Sequence, residues 1–254
     1  MTATALITGA SSGLGAEFAR QLAARGADVV LVARDQAALD ALAADIRRTH
    51  GVAAEVLVAD LVEEAQRERV EARLADADRP IDVLVNNAGH GLPLAFETND
   101  IEDEARHLAL HVEVPMRLMR AALPGMLERG SGKIINVASV AGLMPRGTYG
   151  AVKSWVISFS RWANVRYGEQ GVTITAVCPG FTHTNFHERL GLPPGEEGIS
   201  RWMWLDKTFV VRSGLRAAAR GRSVSVPSFR YRALVALSRI LPDRIVIAAA
   251  SKGR

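Results

Sequence analysis

Residues 4–15 read TALITGASSGLG, and the reading of this stretch decides the fold. The segment from Thr4 to Thr8 is apolar and partly β-branched, which suits a buried strand. It runs directly into Gly9, Ala10, Ser11, Ser12, Gly13, Leu14 and Gly15, and Ala16 to Arg25 then repeats with helical spacing. Strand, glycine turn and helix in that order make an anion cradle. The glycines let the backbone approach a pyrophosphate closely, and the free N–H groups and dipole at the helix start attract its charge. Glycines alone are weak evidence, but a second apolar strand, Asp28 to Val32, completes the unit and points to a bound dinucleotide.

That second strand ends in Ala33-Arg34, where such a unit reads the adenosine ribose. An acid there would accept from a 2′-hydroxyl and repel a 2′-phosphate, whereas Arg34 does the opposite, so NADP(H) is expected over NAD(H). A surface pair between Arg34 and Asp35 is the plain alternative. The alternation continues with helix from Gln36 to Thr49, strand from Ala53 to Val58, helix from Glu63 to Leu74 and strand from Ile81 to Val85. This pattern predicts an α/β fold with a doubly wound parallel sheet. Binding groups then collect at the strands' C-terminal ends, namely Asp60 with Leu61 after the third strand and Asn86-Asn87-Ala88-Gly89 after the fourth.

Composition bounds the rest. With 254 residues, 48% of them hydrophobic, the chain suits one substantial core, taken here as residues 1–227 with a C-terminal extension over 228–254. No apolar run reaches the length of a membrane span, and the early first strand leaves no room for a signal peptide, so a cytoplasmic location is expected. The single cysteine, Cys178, has apolar neighbours and reads as a core residue. The net charge of +4 is unevenly divided: residues 201–254 carry 12 Lys and Arg against 2 acids, and the body before them carries 19 against 25. A basic end fits an anionic partner or a solvated face equally well. An arginine-rich tail without a recognisable module does not indicate nucleic acid.

The chemistry is concentrated in Ser139 to Lys153, SVAGLMPRGTYGAVK. Tyr149 and Lys153 are four apart and share one face if the segment is helical. An ammonium beside a phenol favours the phenolate and lowers its pKa, which makes the pair an acid-base unit near neutral pH. Ser139 is placed to hold the oxygen that gains or loses the proton.

The TGASSGLG loop at 8–15, Asp60, NNAG at 86–89, Ser139, YGAVK at 149–153 and PGFTHT at 179–184 together resemble the short-chain dehydrogenase/reductase family over nearly the whole chain. The resemblance implies a Rossmann-type NAD(P)-dependent oxidoreductase of alcohols or carbonyls. By it Tyr149 is the acid-base, Lys153 lowers its pKa and holds the nicotinamide ribose, Ser139 positions the substrate oxygen, and Pro179, Gly180, Thr182 and Thr184 flank the nicotinamide. It also implies a homodimer or homotetramer through long helices. One departure is His111, aligned where the family usually carries an Asn. In the family that Asn marks a helix irregularity whose carbonyl anchors a water leading to the lysine. Pro115 has no N–H and leaves the carbonyl of residue 111 unbonded in a helix, so the relay is expected to survive without the usual side chain. The plain alternative is a packed helix histidine. A second departure is the short loop between Ser139 and Tyr149, with Pro145 and Gly147, which alters the pocket more than the chemistry.

Helix 148–168 carries Trp155, Val156, Phe159 and Trp162, enough for one face on the sheet and another on a partner. From Phe181 to Leu205 the alternation lapses, and a loop of this length is expected to be a flap in which Phe186, Leu190, Trp202 and Trp204 line an apolar substrate pocket. His183 and His187 are four apart but lack a third ligand, so no metal is expected. Helix 206–220 and strand 223–226 complete the sheet. Phe229 to Leu241 reads as a basic amphipathic helix that caps the pocket or an interface, with peripheral contact to an anionic membrane as the other reading. The sequence therefore points to an oxidoreductase of small carbonyl or alcohol substrates. A cofactor-binding scaffold with little catalysis, regulatory or membrane-associated, is the rival class.

Overall fold

The computed structural model describes residues 2–184 and 200–251. Seven parallel strands form one sheet in the order β3-β2-β1-β4-β5-β6-β7. The strands are β1 Thr4–Thr8, β2 Asp28–Ala33, β3 Ala54–Val58, β4 Val83–Asn86, β5 Gly132–Val137, β6 Val172–Val177 and β7 Val224–Ser225. The helices are α1 Gly13–Ala23, α2 Gln36–His50, α3 Glu64–Ala75, α4 Ile101–Leu108, α5 Val114–Glu128, α6 Gly147–Gly168, α7 Lys207–Ala219, α8 Phe229–Ser238 and α9 Asp243–Ser251. Strand order reverses between β1 and β4, and a crevice opens above their C-terminal ends, where ligands of such sheets bind.

Side-chain alternation along the strands builds a core on each face. In β1, Ala5 and Ile7 face one side, packing with Phe18 of α1, Leu39 of α2 and Val210 of α7. Leu6 faces the other, with Val70 of α3 and Leu118 and Met126 of α5. Phe18, Leu39, Leu118 and Met126 are fully buried, each contributing about 1.5–3 kcal/mol from removal of apolar surface. Cys178 lies in the core as expected. Local signals set the helix ends: Asp35, Asp100 and Asp206 each accept a backbone N–H at a helix start.

Between α4 and α5 the chain forms a π-turn, Ala109–Glu113, in which the Val114 N–H donates to the Ala109 carbonyl. Pro115 follows immediately and cannot donate to residue 111, so the extra residue sits where the α-helical ladder already has a gap.

Several expectations change. The strand after Glu63–Leu74 begins at Val83 rather than Ile81. Arg34 does not pair with Asp35, whose carboxylate caps α2 by accepting from the Ala38 N–H, and instead faces Asp60 at 3.7 Å. The C-terminal helices exist, but α8 is not amphipathic. Its apolar side chains go all round: Tyr231 and Val235 are buried while Phe229, Leu234 and Leu237 are exposed. Tyr231 joins the core on the α1 and α7 side of the sheet. Its hydroxyl accepts from the Phe181 N–H at 3.0 Å and donates to the Met203 carbonyl at 2.8 Å, tying α8 to both ends of the segment after β6. No helix among the described residues is long and apolar enough to cross a membrane.

Candidate functional site

The crevice is a cleft of about 920 Å³ across the strand ends. Gly9, Ser11, Ser12, Gly13 and Leu14 form its floor at one end, with Arg34, Asp60 and Leu61 beyond them. Asn87, Ala88 and Gly89 form the middle, and Ser139, Tyr149, Lys153, His111, Pro179, Gly180, Thr182 and Thr184 the other end. Of the catalytic and cofactor-binding candidates read from the sequence, Gly15 and Asn86 are buried and do not line the cleft.

The glycine turn and the NNAG turn are built against each other. The Thr8 hydroxyl accepts from the N–H groups of Asn87 at 2.9 Å and Ala88 at 3.0 Å, and the Asn87 amide donates to the Thr8 carbonyl at 2.9 Å. Gly9 has φ 64°, and a Cβ there would lie 2.8 Å from the Asn87 amide nitrogen, so neither backbone nor space admits another residue. At the outer end, Asp60 receives two guanidinium groups, Arg34 and Arg106, each at 3.7 Å. The Arg34 side chain is 77% exposed.

At the inner end α6 delivers Tyr149 and Lys153 from successive turns, 9% and 5% exposed. A buried polar string sets the helix on the sheet. The Asn86 amide donates to Asn136 at 2.8 Å, the Asn136 amide to the Ser160 hydroxyl at 2.9 Å, and that hydroxyl to the Val156 carbonyl at 2.7 Å. The Lys153 ammonium donates to the Val137 carbonyl at 2.8 Å and lies 5.8 Å from the centre of the Tyr149 ring. Burial lowers its pKa from 10.5 to about 8, with a small opposing effect from Cys178. Ser139 begins a 3-10 turn, Val140–Leu143, and its hydroxyl accepts from the Ala141 N–H at 3.1 Å.

His111 lies in the π-turn and is 3% exposed. Its Nε2 is 2.7 Å from the His90 carbonyl, and its ring lies against Gly89, where a Cβ would be 2.4 Å from Cε1. Burial, followed by the Lys153 charge, holds its pKa well below 6.5, so the ring is neutral. A second space of about 10 Å³, bounded by His111, Pro115, Asn86, Asn136 and Lys153 among others, has room for one water-sized body.

The sequence reading missed three groups here. His90 and Arg106 line the cleft, and His107 packs behind it, with its ring centre 4.4 Å from that of His111. The signal for His107 was its position one helical turn before His111, on the same face. On the flap, Phe186, Leu190 and His187 lie outside the described residues. Trp202 and Trp204 do not line the cleft. The 3-10 turn Arg201–Met203 puts Trp202 on the surface beside Arg230, and Trp204 packs on Phe181 and His183. Among the described residues from 181 to 205, Phe181 is an aromatic on the cleft wall. No metal-holding group of His, Cys, Asp or Glu occurs among the described residues.

A family model described as short chain dehydrogenase matches residues 3–193. The very-long-chain 3-oxoacyl-CoA reductase of Anas platyrhynchos is 35% identical over 190 residues, which span 72% of this chain and 60% of that protein. Among solved structures, a short-chain dehydrogenase from Sphingobium yanoikuyae in complex with NADPH is 36% identical, with a TM-score of 0.83 over 93% of this chain and 94% of that one. A bulky-bulky ketone specific alcohol dehydrogenase from Comamonas testosteroni is 32% identical, with a TM-score of 0.80 over 93% and 92%.

Proposed function

The chain belongs to the short-chain dehydrogenase/reductase family of oxidoreductases, and within it we propose an NADP(H)-preferring enzyme that interconverts an apolar carbonyl and its secondary alcohol, with Tyr149 as acid-base. The observation that carries this reading is the buried Lys153 beside Tyr149 at the inner end of the cleft. An ammonium whose pKa has fallen to about 8 gives up or takes on a proton near neutral pH, and its charge favours the neighbouring phenolate.

The cleft fits the cofactor on its own features. Gly9 and Gly13 line the cleft with positive φ, and a Cβ at Gly9 would also clash with Asn87 and Ala88, so bare backbone lies where a pyrophosphate needs close approach. Arg34 reads the 2′-phosphate, Asp60 and Leu61 border the adenine, Asn87, Ala88 and Gly89 support the ribose side, and Thr182 and Thr184 hold the carboxamide end. NADP(H) supplies or accepts a hydride when bound. In reduction Tyr149 donates its phenolic proton to the carbonyl oxygen while Ser139 holds that oxygen in place, and Lys153 restores the proton to the phenolate. Oxidation reverses each transfer. A water in the space between the His111 carbonyl, Pro115 and Lys153 would return a proton from solvent to the Lys153 amine, so that His111 contributes through its main chain.

The ketone-specific and 3-oxoacyl relatives, together with Phe181, Val140 and Ala141 on the wall, support an apolar ketone or acyl thioester as substrate. Trp162 and Val165 of α6 are 55% and 79% exposed, and Met116 of α5 is also exposed, which supports a homodimer through these helices. The test is NADPH oxidation with propiophenone, acetoacetyl thioester, aldehydes and sterol ketones, alongside binding of NADPH and NADH. Turnover of an apolar ketone with tighter NADPH binding is expected. Binding without turnover of any carbonyl would favour the scaffold.

A further inference from the structure

The outer face of α8 is apolar, and the reaction scheme above leaves it unused. Tyr231 and Val235 are buried and mark the inner side of the helix. At about 100° per residue, Ala233 falls directly opposite them, with Phe229 and Leu237 to either side and Ala236 at the margin. All four are exposed, Phe229 by 76%. The backbone at Arg239 stays in the right-handed helical region, which carries Ile240, 79% exposed, onto the same stripe. Arginines border it. Arg230 lies along one edge, and Arg232 and Arg239 along the other, all exposed.

The patch extends beyond this helix. The Arg230 guanidinium lies 5.8 Å from the ring centre of Trp202, itself exposed, and Arg232 lies at the same distance from the ring of Phe229. After Pro242, α9 is anchored by the buried Val246 and adds Ile245 and Ile247, each nearly half exposed. From 229 to 244 the chain carries four arginines and one acid, Asp243. Exposed apolar side chains gathered in this way mark a contact surface, and its occupant must suit both the stripe and its borders. An acidic, water-facing protein surface would pair the arginines and leave the stripe wet. A second copy meeting it through the same patch would cover the stripe but set arginine against arginine. An anionic bilayer does both, since apolar side chains enter at the acyl boundary while arginine stems reach out to charged headgroups.

We propose that the outer face of α8, with Trp202 beside it and α9 after it, docks on an anionic phospholipid surface. Phe229, Leu237 and Ile240 enter the acyl boundary, and Arg230, Arg232 and Arg239 meet the headgroups. The contact is peripheral, because no helix among the described residues is long and apolar enough to cross a membrane. The docking helix is also tied to the cleft wall, through the Tyr231 hydroxyl that bonds the Phe181 N–H and the Met203 carbonyl. Use of this contact to meet apolar carbonyls dissolved in the bilayer rests on the reductase reading above, whereas the docking itself does not.

The test is flotation of the full chain on a density gradient with vesicles of mixed phosphatidylglycerol and phosphatidylcholine, or of phosphatidylcholine alone. At low salt the wild type should float with the mixed vesicles and stay largely unbound with phosphatidylcholine. Arg232→Gln combined with Arg239→Gln should weaken partitioning into mixed vesicles about thirtyfold, the worth of two cations at an anionic surface. Phe229→Ser combined with Ile240→Ser should weaken it at least as much, with NADPH binding and the urea midpoint unchanged, because Tyr231 and Val235 still hold the helix. Ile240→Asp alone, beyond the last turn of α8, should weaken it in the same direction and guards against a fold defect in the double variant. A wild type that stays unbound with mixed vesicles, or floats equally with both kinds, would overturn the proposal, as would wild-type flotation in the stripe variants. A lower oligomeric mass in Phe229→Ser with Ile240→Ser by light scattering, with flotation unchanged, would assign the face to a second copy and overturn it too. Flotation as stated in a chain that reduces no carbonyl would overturn the reductase reading and leave the docking standing.

Discussion

Replacing Lys153 by Met should separate what the ammonium does for chemistry from what it does to stability. In the fold its pKa is lowered from 10.5 to about 8, because a 5% exposed ammonium has lost most of its water. A fall of that size corresponds to about 3 kcal/mol by which the fold disfavours the charged form. The sign follows from proton counting. Below pH 8 the lysine is charged in both folded and unfolded chains, and the whole cost is present. Between pH 8 and 10.5 the folded chain has released the proton and the unfolded chain still holds it, so stability rises with pH. Above 10.5 the cost is gone. Cys178, pushed up to about 12 by burial, stays neutral through this window. The hydrogen bond to Val137 and the packing of the side chain differ between wild type and Lys153→Met, but those differences do not vary with pH to first order. Urea unfolding of both proteins without cofactor at several pH values from 7 to 10.5 therefore isolates the linkage. The wild type should gain about 3 kcal/mol relative to Lys153→Met across the range. A gap that stays constant with pH would refute the buried, depressed ammonium on which the acid-base assignment depends.

Arg34→Ser should weaken NADPH binding about tenfold or more and change NADH binding little, since a charge-assisted contact to the 2′-phosphate is lost; equal effects on both by calorimetry would contradict the assignment. Tyr231→Phe should lower stability by about 1–3 kcal/mol in urea unfolding, because the Phe181 N–H and Met203 carbonyl lose their shared partner; an unchanged midpoint would show that the hydroxyl does not tie α8 to the domain. Gly89→Ala should cost about 1–3 kcal/mol by forcing the His111 ring out of its place, and a variant as stable as wild type would contradict that packing.

The fold and the outline of the site were legible because their signals are local and periodic. The glycine turn, the alternation of strands and helices, and the four-residue interval between Tyr149 and Lys153 each follow from chain geometry, and the parallel sheet with both residues on α6 agrees with them. What was not legible depends on contacts between distant segments. Arg34 meets Asp60 rather than Asp35 because adjacent strand ends bring 34 and 60 together, while Asp35 is taken by the α2 N-terminus. Trp202 looked like pocket lining by its apolarity, but one 3-10 turn directs it outward. The α8 pattern read as amphipathic because apolar and basic residues alternate there, and the count of each type does not say on which face they fall. His107 was passed over because its interest comes entirely from the ring of His111 beside it.

The most direct test of the central claim is turnover by Tyr149→Phe, followed as NADPH oxidation with the apolar ketone that the wild type reduces best. The account predicts a loss of about a hundredfold or more in kcat, with NADPH binding retained, because only the proton donor is removed. Turnover equal to the wild type would contradict it.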